Sequence, residues 1–426
     1  MKGIRTLRER LSTPVVRNAM YLIATEALGA VLGLLFWAVA ARVFPDADVG
    51  VGAVLITSGT LLAILSTLGF NISLVRFLPE HGTRVARLIN TSVTIGTVVA
   101  VVLSLVFGLV AGRWLPALAF LSANPVLVVL FVFFTAVWTA YLLFDAAFIG
   151  LGRAKYVLLR SAIYNGLKIP LPLALQVVLT APFALFSAWG IGLLAANVVA
   201  AVMLIAAVVP SFSLRPDLDR AAVRSMVRYS AANHVTNVLG AMPGLVFPFL
   251  VALALPPENA AYFYVAWVIA NFLFIVPGSI FTSVFAEGSR WLPGLRGHAL
   301  DGMYLSLAIL VPGVAAVLLA GPAVLGALKP TFQAAAVPLL NMLAVASFFV
   351  AINVLYITVL RVDKRMRPVV GIYLGTTLAA LALGYPLMLS PLGLLGAGVG
   401  FTVSQGAGAA YCVWAMLREG VLRRTP

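Results

Sequence analysis

The stretch VRNAMYLIATEALGAVLGLLFWAVAARVFP, Val16–Pro45, decides how the rest of the chain is read. Its interior, Tyr21–Ala40, is apolar over the length that crosses a bilayer core as one helix, about 20 residues. Yet it carries Glu26. A charged residue at the centre of such a helix costs about 2.5–3.5 kcal/mol on insertion scales, so the carboxylate calls for a partner or a function. Sliding the sequence against itself by 211 residues lays this stretch, without a gap, over VRYSAANHVTNVLGAMPGLVFPFLVALALP, Val227–Pro256. Eleven of thirty positions are identical, among them Arg17/Arg228, Thr25/Thr236, Gly29/Gly240, Gly33/Gly244 and Pro45/Pro256. The chain therefore reads as a duplication, and Asn237 stands where Glu26 stands in the first copy.

The composition agrees with a membrane protein. Of 426 residues 62% are apolar and 10% charged, with mean hydropathy +1.09, too little charge to cover a soluble surface of this size. Spanning runs fall at about 17–41, 49–75, 88–112, 126–150, 157–180, 184–209, 229–255, 260–286, 301–322, 333–360, 368–389 and 392–416. The expected fold is an all-α polytopic membrane protein of 12 transmembrane helices in two six-helix lobes. An even number of spans per copy makes the internal repeat parallel. The lobes are expected at 1–209 and 229–426, joined by a linker over 210–228.

The net charge of +15 would suggest nucleic acid in a soluble protein. Here all but four of the 28 Lys and Arg lie on one side when the loops are assigned alternately; the exceptions are Arg42, Arg113, Lys329 and the intramembrane Lys168. Short loops rich in Lys and Arg stay in the cytoplasm. A cell-membrane location with both termini cytoplasmic follows, and no nucleic-acid partner. Ala38-Val39-Ala40 resembles a signal-peptide cleavage site, but the repeat requires the first helix to be retained. The lone Cys412 excludes an internal disulfide.

Residues three, four and seven apart share a helix face. Glu26 then lies with Gly29, Ala30 and Gly33, a small-residue groove that admits a neighbouring backbone. Asn237 lies with Ser230, Asn233 and His234. The fifth span aligns Ser161, Tyr164, Asn165 and Lys168 ahead of Pro170 and Pro172; the fourth aligns Trp138, Tyr141 and Asp145. Asp145 and Lys168, on consecutive antiparallel spans, are expected either to neutralise each other or to act separately. Glu26 has no such partner in reach and is expected to bind a proton or a cation. The ion-coupling candidates are Glu26, Asp145 and Asn237.

Other motifs carry no chemistry. Asp46-Ala47-Asp48 imitates a metal-binding DxD but occupies a short external turn, and the glycine run at Gly393–Gly400 reads as close helix packing. There is no Ser/His/Asp set, no Cys/His metal cluster and no GxxxxGK[ST]. No loop holds a soluble domain. The expectation is therefore no enzyme, no catalytic residue, no metal and no cofactor, with H⁺ or Na⁺ as a coupling ion left open.

Several stretches resemble the polysaccharide-export branch of the multidrug/oligosaccharidyl-lipid/polysaccharide (MOP) superfamily. They are ARVFPDADVGVGAVLITSGTLLAILSTLGFNISLVRFLPE (Ala41–Glu80), FIGLGRAKYVLLR (Phe148–Arg160), PGSIFTSVFAEGSR (Pro277–Arg290) and FVAINVLYITVLRVDKRMRP (Phe349–Pro368). The major facilitator superfamily shares a 6+6 plan, but RFLPEHGTRVAR (Arg76–Arg87) stands in place of its GxxxDRxGRR-like turn. The resemblance implies a MATE-like fold and a flippase. Its substrate would be lipid-linked, undecaprenyl-pyrophosphate-type oligosaccharide or polysaccharide precursors, moved from inner to outer leaflet by alternating access, as in lipopolysaccharide and cell-envelope assembly. Membrane lipid would be a partner, as would a glycan polymerase or glycosyltransferases of the same pathway. A substrate cavity would draw on Lys168, Asn165, Tyr164, Asn233 and His234, with Arg76 and Arg290 receiving phosphates. The alternatives are an H⁺- or Na⁺-coupled multidrug or metabolite exporter of the same superfamily, a membrane-embedded polysaccharide polymerase or ligase, and a non-transporting scaffold.

Overall fold

The computed structural model describes residues 14–80, 84–209, 212, 215–290 and 295–419. Lys2, Arg5, Arg8, Arg10, Arg423 and Arg424 of the basic side lie outside them. All regular structure among the described residues is helical, as lipid demands of a chain whose backbone groups must be satisfied within each segment. The helices are α1 Pro14–Val43, α2 Asp46–Ser66, α3 Phe70–Phe77, α4 Val85–Trp114, α5 Ala119–Ala123, α6 Pro125–Gly150, α7 Ala154–Lys168, α8 Leu171–Leu175 and α9 Ala181–Met203. They continue as α10 Arg220–Ala254, α11 Glu258–Arg290, α12 Leu295–Leu328, α13 Pro330–Val362, α14 Met366–Met388 and α15 Leu395–Arg418.

Ten of these helices are long and apolar enough to cross a membrane, against the twelve expected. The two that fall short have identifiable causes. The fifth expected span stops at Lys168, because Pro170 and Pro172 cannot continue a helix; it resumes only as the single turn α8. The twelfth is α15, diluted by its glycines, Ser404 and Gln405. The second expected span is bent between α2 and α3, where Leu68 (φ 49°) and Gly69 (φ 79°) are left-handed. Gly69 is required there twice over. A Cβ would stand 2.6 Å from Ser230 Oγ of α10, and L side chains avoid that backbone region.

The chain packs as two compact units. The first takes the residues up to Phe44 and Leu55–His234; the second takes Pro45–Val54 and the chain from Val235 onward. The first is centred on Phe70, Leu74, Leu143, Phe144, Phe148 and Leu204. Within it α1 packs on α7, α7 on α9, and α6 on α3, α4 and α9. In the second unit α11, α12 and α13 pack together and α15 lies between α13 and α14. The start of α2 is built into this second unit. Gly50 lies so close to Pro257 that a Cβ would overlap its carbonyl oxygen. Asp46, at the helix N-terminus where a carboxylate is favoured, accepts from Lys329 Nζ (2.6 Å), Thr331 Oγ1 (2.7 Å) and Tyr262 OH (2.8 Å). The acidic turn is thus a structural anchor.

The duplication is visible in the turns. At the end of α6, Gly152 (φ 66°) donates to Ile149 O (3.0 Å) and Arg153 to Phe148 O (2.8 Å). At the end of α13, Lys364 (φ 59°) donates to Arg361 O (3.1 Å) and Arg365 to Leu360 O (2.8 Å). Both are Schellman caps, a left-handed residue closing the last carbonyls. The glycine run also behaves as read: a Cβ on Gly396 would lie 2.4 Å from the Leu387 carbonyl carbon, and one on Gly400 2.5 Å from Gly384 N. The α14 and α15 backbones touch there because neither glycine has a side chain.

Candidate functional site

The expected Asp145–Lys168 pair does not form. Asp145 of α6 is bound instead by Arg160 of α7, through guanidinium Nη1. Arg160, expected in a cytoplasmic loop, is wholly buried. Its remaining donors reach Ala196 O (3.2 Å), Tyr141 O (3.3 Å) and Asn197 Oδ1 (3.0 Å), and its plane lies over the Tyr141 ring at 4.4 Å. Asn197 in turn donates to Val137 O (2.8 Å). The helix starts at Ala154, earlier than apolarity alone indicates, so Arg160 is already two turns inside. A planar guanidinium can spread its donors over several acceptors, which a lysine cannot. The signal was present in the sequence: Arg160, Tyr164 and Lys168 recur at steps of four.

Lys168 is 2% exposed. Its ammonium donates to Asn165 Oδ1 (2.7 Å) and lies over the rings of Trp189 (4.3 Å), Tyr164 (4.6 Å) and Phe36 (5.7 Å). Asn165 is oriented by its own bonds to Ser161 O (2.9 Å) and Ser161 Oγ (3.0 Å). The predicted face Ser161/Tyr164/Asn165/Lys168 is therefore real, and all four residues are buried in the packed interior. Stacked aromatic faces stabilise a desolvated cation by about 2 kcal/mol or more, which explains a buried lysine without a carboxylate.

Glu26 departs from its expected setting. Its side chain is exposed, and the glycine groove beside it takes no backbone. A Cβ on Gly29 would have only Asn165 Nδ2 at 3.8 Å, and one on Gly33 would have no neighbour within 4 Å. Glu26 does lie near enough to Asp145 and Tyr141 to act on both electrostatically. Arg76 and Asp145 line one cavity of about 660 Å³ in the first unit, together with Asn71 and Tyr229. Tyr229 also borders a wider depression lined by Arg220, Arg224 and Arg228, which project from α10 at steps of four. His234 is half-buried and bonded to the Leu65 backbone, a packed histidine beside the Gly69 bend. Asn233 is half-buried. Arg290 ends α11, and its side chain lies outside the described residues.

The second unit has its own cavity, about 370 Å³, which Asn237 lines with Asn271, Asn353, Gln405, Trp267 and Tyr373. Of these only Asn237 was singled out from the sequence. Asn353 and Gln405 form a buried amide pair, Nδ2 to Oε1 at 2.8 Å. A lone Asn or Gln within an apolar span gives no periodic signal, and their meeting across α13 and α15 depends on the fold. No group of three or more His, Cys, Asp or Glu side chains able to hold a metal occurs among the described residues.

Comparison with known proteins places this geometry. A lipid II flippase MurJ in an inward closed conformation superposes with a TM-score of 0.75 at 13% identity, over 94% of this chain and 87% of that one. An inward-facing multidrug resistance MATE family transporter of the MOP superfamily gives 0.68 at 16% identity, over 95% and 99%. A MOP superfamily transporter from Pyrococcus furiosus Vc1, described with a binding pocket of reversed polarity, gives 0.63 at 15%, over 97% and 96%. At these identities the likeness establishes the fold, that of the MOP-superfamily transporters. No curated protein sequence matches the chain. The family model described as polysaccharide biosynthesis protein matches residues 15–286, most of the chain, and so the chain belongs to the polysaccharide biosynthesis protein family.

Proposed function

We propose that the protein is a flippase, carrying lipid-linked oligosaccharide or polysaccharide precursors of the undecaprenyl-pyrophosphate type from the inner to the outer leaflet by alternating access. The observation that carries this reading is the basic wall of the first unit: Arg76 in one cavity and Arg220, Arg224 and Arg228 in the depression that shares Tyr229 with it. A diphosphate headgroup loses its hydration in hydrocarbon, and arginine is suited to replace that hydration by bidentate hydrogen bonding. Membership of a polysaccharide biosynthesis family and a fold shared with a lipid II flippase support the same substrate class. The residues named serve transport rather than catalysis. The basic side of the loops supports a cell-membrane location with both termini cytoplasmic. The enzymes that extend the lipid-linked glycan, glycosyltransferases and a polymerase, are its pathway partners.

Glu26 is the coupling group in this reading, exposed on α1 where a proton or Na⁺ can reach it. Lys168, enclosed by rings, is not a substrate contact. Deletion followed by mass spectrometry of lipid extracts is the test. Accumulation of full-length lipid-linked glycan, reversed by the wild type and not by a triple Arg220/Arg224/Arg228→Ala variant, is expected. Unchanged lipid-linked glycan together with raised sensitivity to cationic drugs would instead establish the multidrug exporter.

A further inference from the structure

We infer that the second unit carries a binding site for an anionic phospholipid, with one acyl chain in a groove between α14 and α15 and the phosphate at the basic turn beside it. The site stands independently of the flippase reading, and every residue in it belongs to the second unit. The groove is a cavity of about 400 Å³. Gly371, Gly375 and Ala379 line it from α14, and Ser404, Ala407 and Gly408 from α15. Its floor is closed, because a Cβ on Gly408 would lie 2.5 Å from Thr376 Cγ2. Its mouth is open, since a Cβ on Gly371 or Gly375 would have no neighbour within 4 Å. The hydroxyls inside it are spent within their own helices, Thr376 Oγ1 on Ile372 O (2.8 Å) and Ser404 Oγ on Phe401 O (2.8 Å). The lining therefore has no charged side chain and, apart from Tyr411 at its end, no free side-chain donor. Polar ligands lose their water there without compensation, whereas hydrocarbon loses nothing.

Length and charge select the occupant. From Pro368 to Ala379 the groove wall on α14 rises about 16 Å, at roughly 1.5 Å per residue. One leaflet supplies half of a hydrocarbon core of about 30 Å, so the groove matches a phospholipid acyl chain and is too short for a long polyprenyl chain. Pro368 and Tyr411 mark its end nearest the turn between α13 and α14. The exposed Lys364 and Arg367 stand in and just after that turn, and the exposed Arg418 lies two turns beyond Tyr411 on the same face of α15. The Arg365–Glu419 bond (2.9 Å) joins the two helix ends. Tyr411 and Trp414 have ring centroids 6.0 Å apart, and the Arg418 guanidinium lies over Trp414 at 5.5 Å. Tyr411, Trp414 and Arg418 thus lead from the groove to headgroup level, where rings and cations settle at a membrane interface. The acids of this rim act on Arg365: Glu419 accepts from it and Asp363 attracts it. Lys364, Arg367 and Arg418 then give the rim a net positive charge, complementary to an anionic headgroup.

The experiment is native mass spectrometry of the full-length protein offered dioleoyl phosphatidylglycerol, dioleoyl phosphatidylethanolamine and undecaprenyl phosphate. The wild type is expected to retain phosphatidylglycerol about tenfold more than phosphatidylethanolamine. Arg367→Gln/Arg418→Gln exchanges exposed side chains and is expected to level the two phospholipids. Gly375→Leu fills the groove from a position that meets open space, and it is expected to lose the phosphatidylglycerol that the wild type holds most tightly. Gly371→Leu, also in open space, fills the groove one turn nearer its basic end and takes the place of Gly375→Leu if that variant melts early. Unchanged phosphatidylglycerol binding in a groove-filled variant that melts like the wild type overturns the site. Equal retention of the two phospholipids by the wild type overturns it as well. Undecaprenyl phosphate held in preference to phosphatidylglycerol overturns the phospholipid as its occupant. The flippase reading fails separately, on glycan accumulation.

Discussion

The two units solve the same problem with different chemistry. In the first, the helices corresponding to spans four, five and six are joined by charge: Asp145 on α6, Arg160 on α7 and Asn197 on α9. In the second, the corresponding α13 and α15 are joined by amides, Asn353 to Gln405. The glycine faces differ in the same sense. Gly240 and Gly244 of α10 are covered by Tyr373 and Trp267, whereas their counterparts Gly29 and Gly33 of α1 lie open beside Glu26. A duplication preserves helix order and turn geometry, since these depend on backbone capping and hydropathy. It does not preserve interior polar groups, which are free to diverge once each is satisfied by its own neighbours. One copy has kept ionisable groups, and the other a neutral, ring-lined cavity.

The comparison breaks most readily at Arg160. Removing one member of a buried ion pair costs about 3–5 kcal/mol because the partner is left charged and unpaired. Arg160→Met is therefore expected to lower the melting temperature sharply or prevent accumulation, and more so than Asn353→Leu, where a neutral buried bond is lost at about 1–3 kcal/mol. Thermal melting in detergent ranks them; equal melting would erase the distinction between ionic and amide junctions.

The glycines come next. Gly400→Val drives a side chain into the Gly384 backbone, and overpacking of this kind costs about 1–3 kcal/mol or more. Gly33→Ala meets open space and is expected to shift stability by less than about 0.5 kcal/mol. The same melting assay reads both, and a damaging Gly33→Ala would mean that the α1 groove is filled after all. Lys168→Met tests the ring-enclosed lysine. It forfeits a cation–π contribution of about 2 kcal/mol but also removes the cost of burying a charge, so a net loss of about 1 kcal/mol or less is expected. Lipid-linked glycan accumulation with an unchanged melting curve would return Lys168 to the substrate path.

Glu26→Gln is expected to have the smallest effect on stability, under about 0.5 kcal/mol for an exposed side chain. Its effect should be on coupling alone: transport into vesicles loses its response to a pH or Na⁺ gradient, while Asn237→Asp leaves that response intact. Gradient dependence identical to the wild type in Glu26→Gln would remove the carboxylate from the mechanism.

Much of this architecture was legible before any coordinate. Hydropathy and the 211-residue repeat give an all-helical chain and the order of most of its spans, because a helix in lipid is dictated by local composition and local hydrogen bonding. The Ser161/Tyr164/Asn165/Lys168 face follows from helical periodicity in the same way. What the face meets does not. Asp145 chose Arg160 over Lys168 because α7 begins early enough to bury a guanidinium that reaches four acceptors, and that start is hidden among the basic residues of a turn.

The sequence by itself determined a helical membrane protein, its duplication, the uneven distribution of its basic residues along the chain and the polar face of α7. These properties are sums over short windows of chain, and no distant contact changes them. Only the tertiary structure decided which polar groups satisfy one another. That turned the lysine into a ring-enclosed interior post, left Glu26 exposed, and brought Asn353 and Gln405, 52 residues apart, to one cavity wall. Pairing across helices depends on where each helix starts, kinks and rotates, and those offsets are fixed by packing rather than by composition.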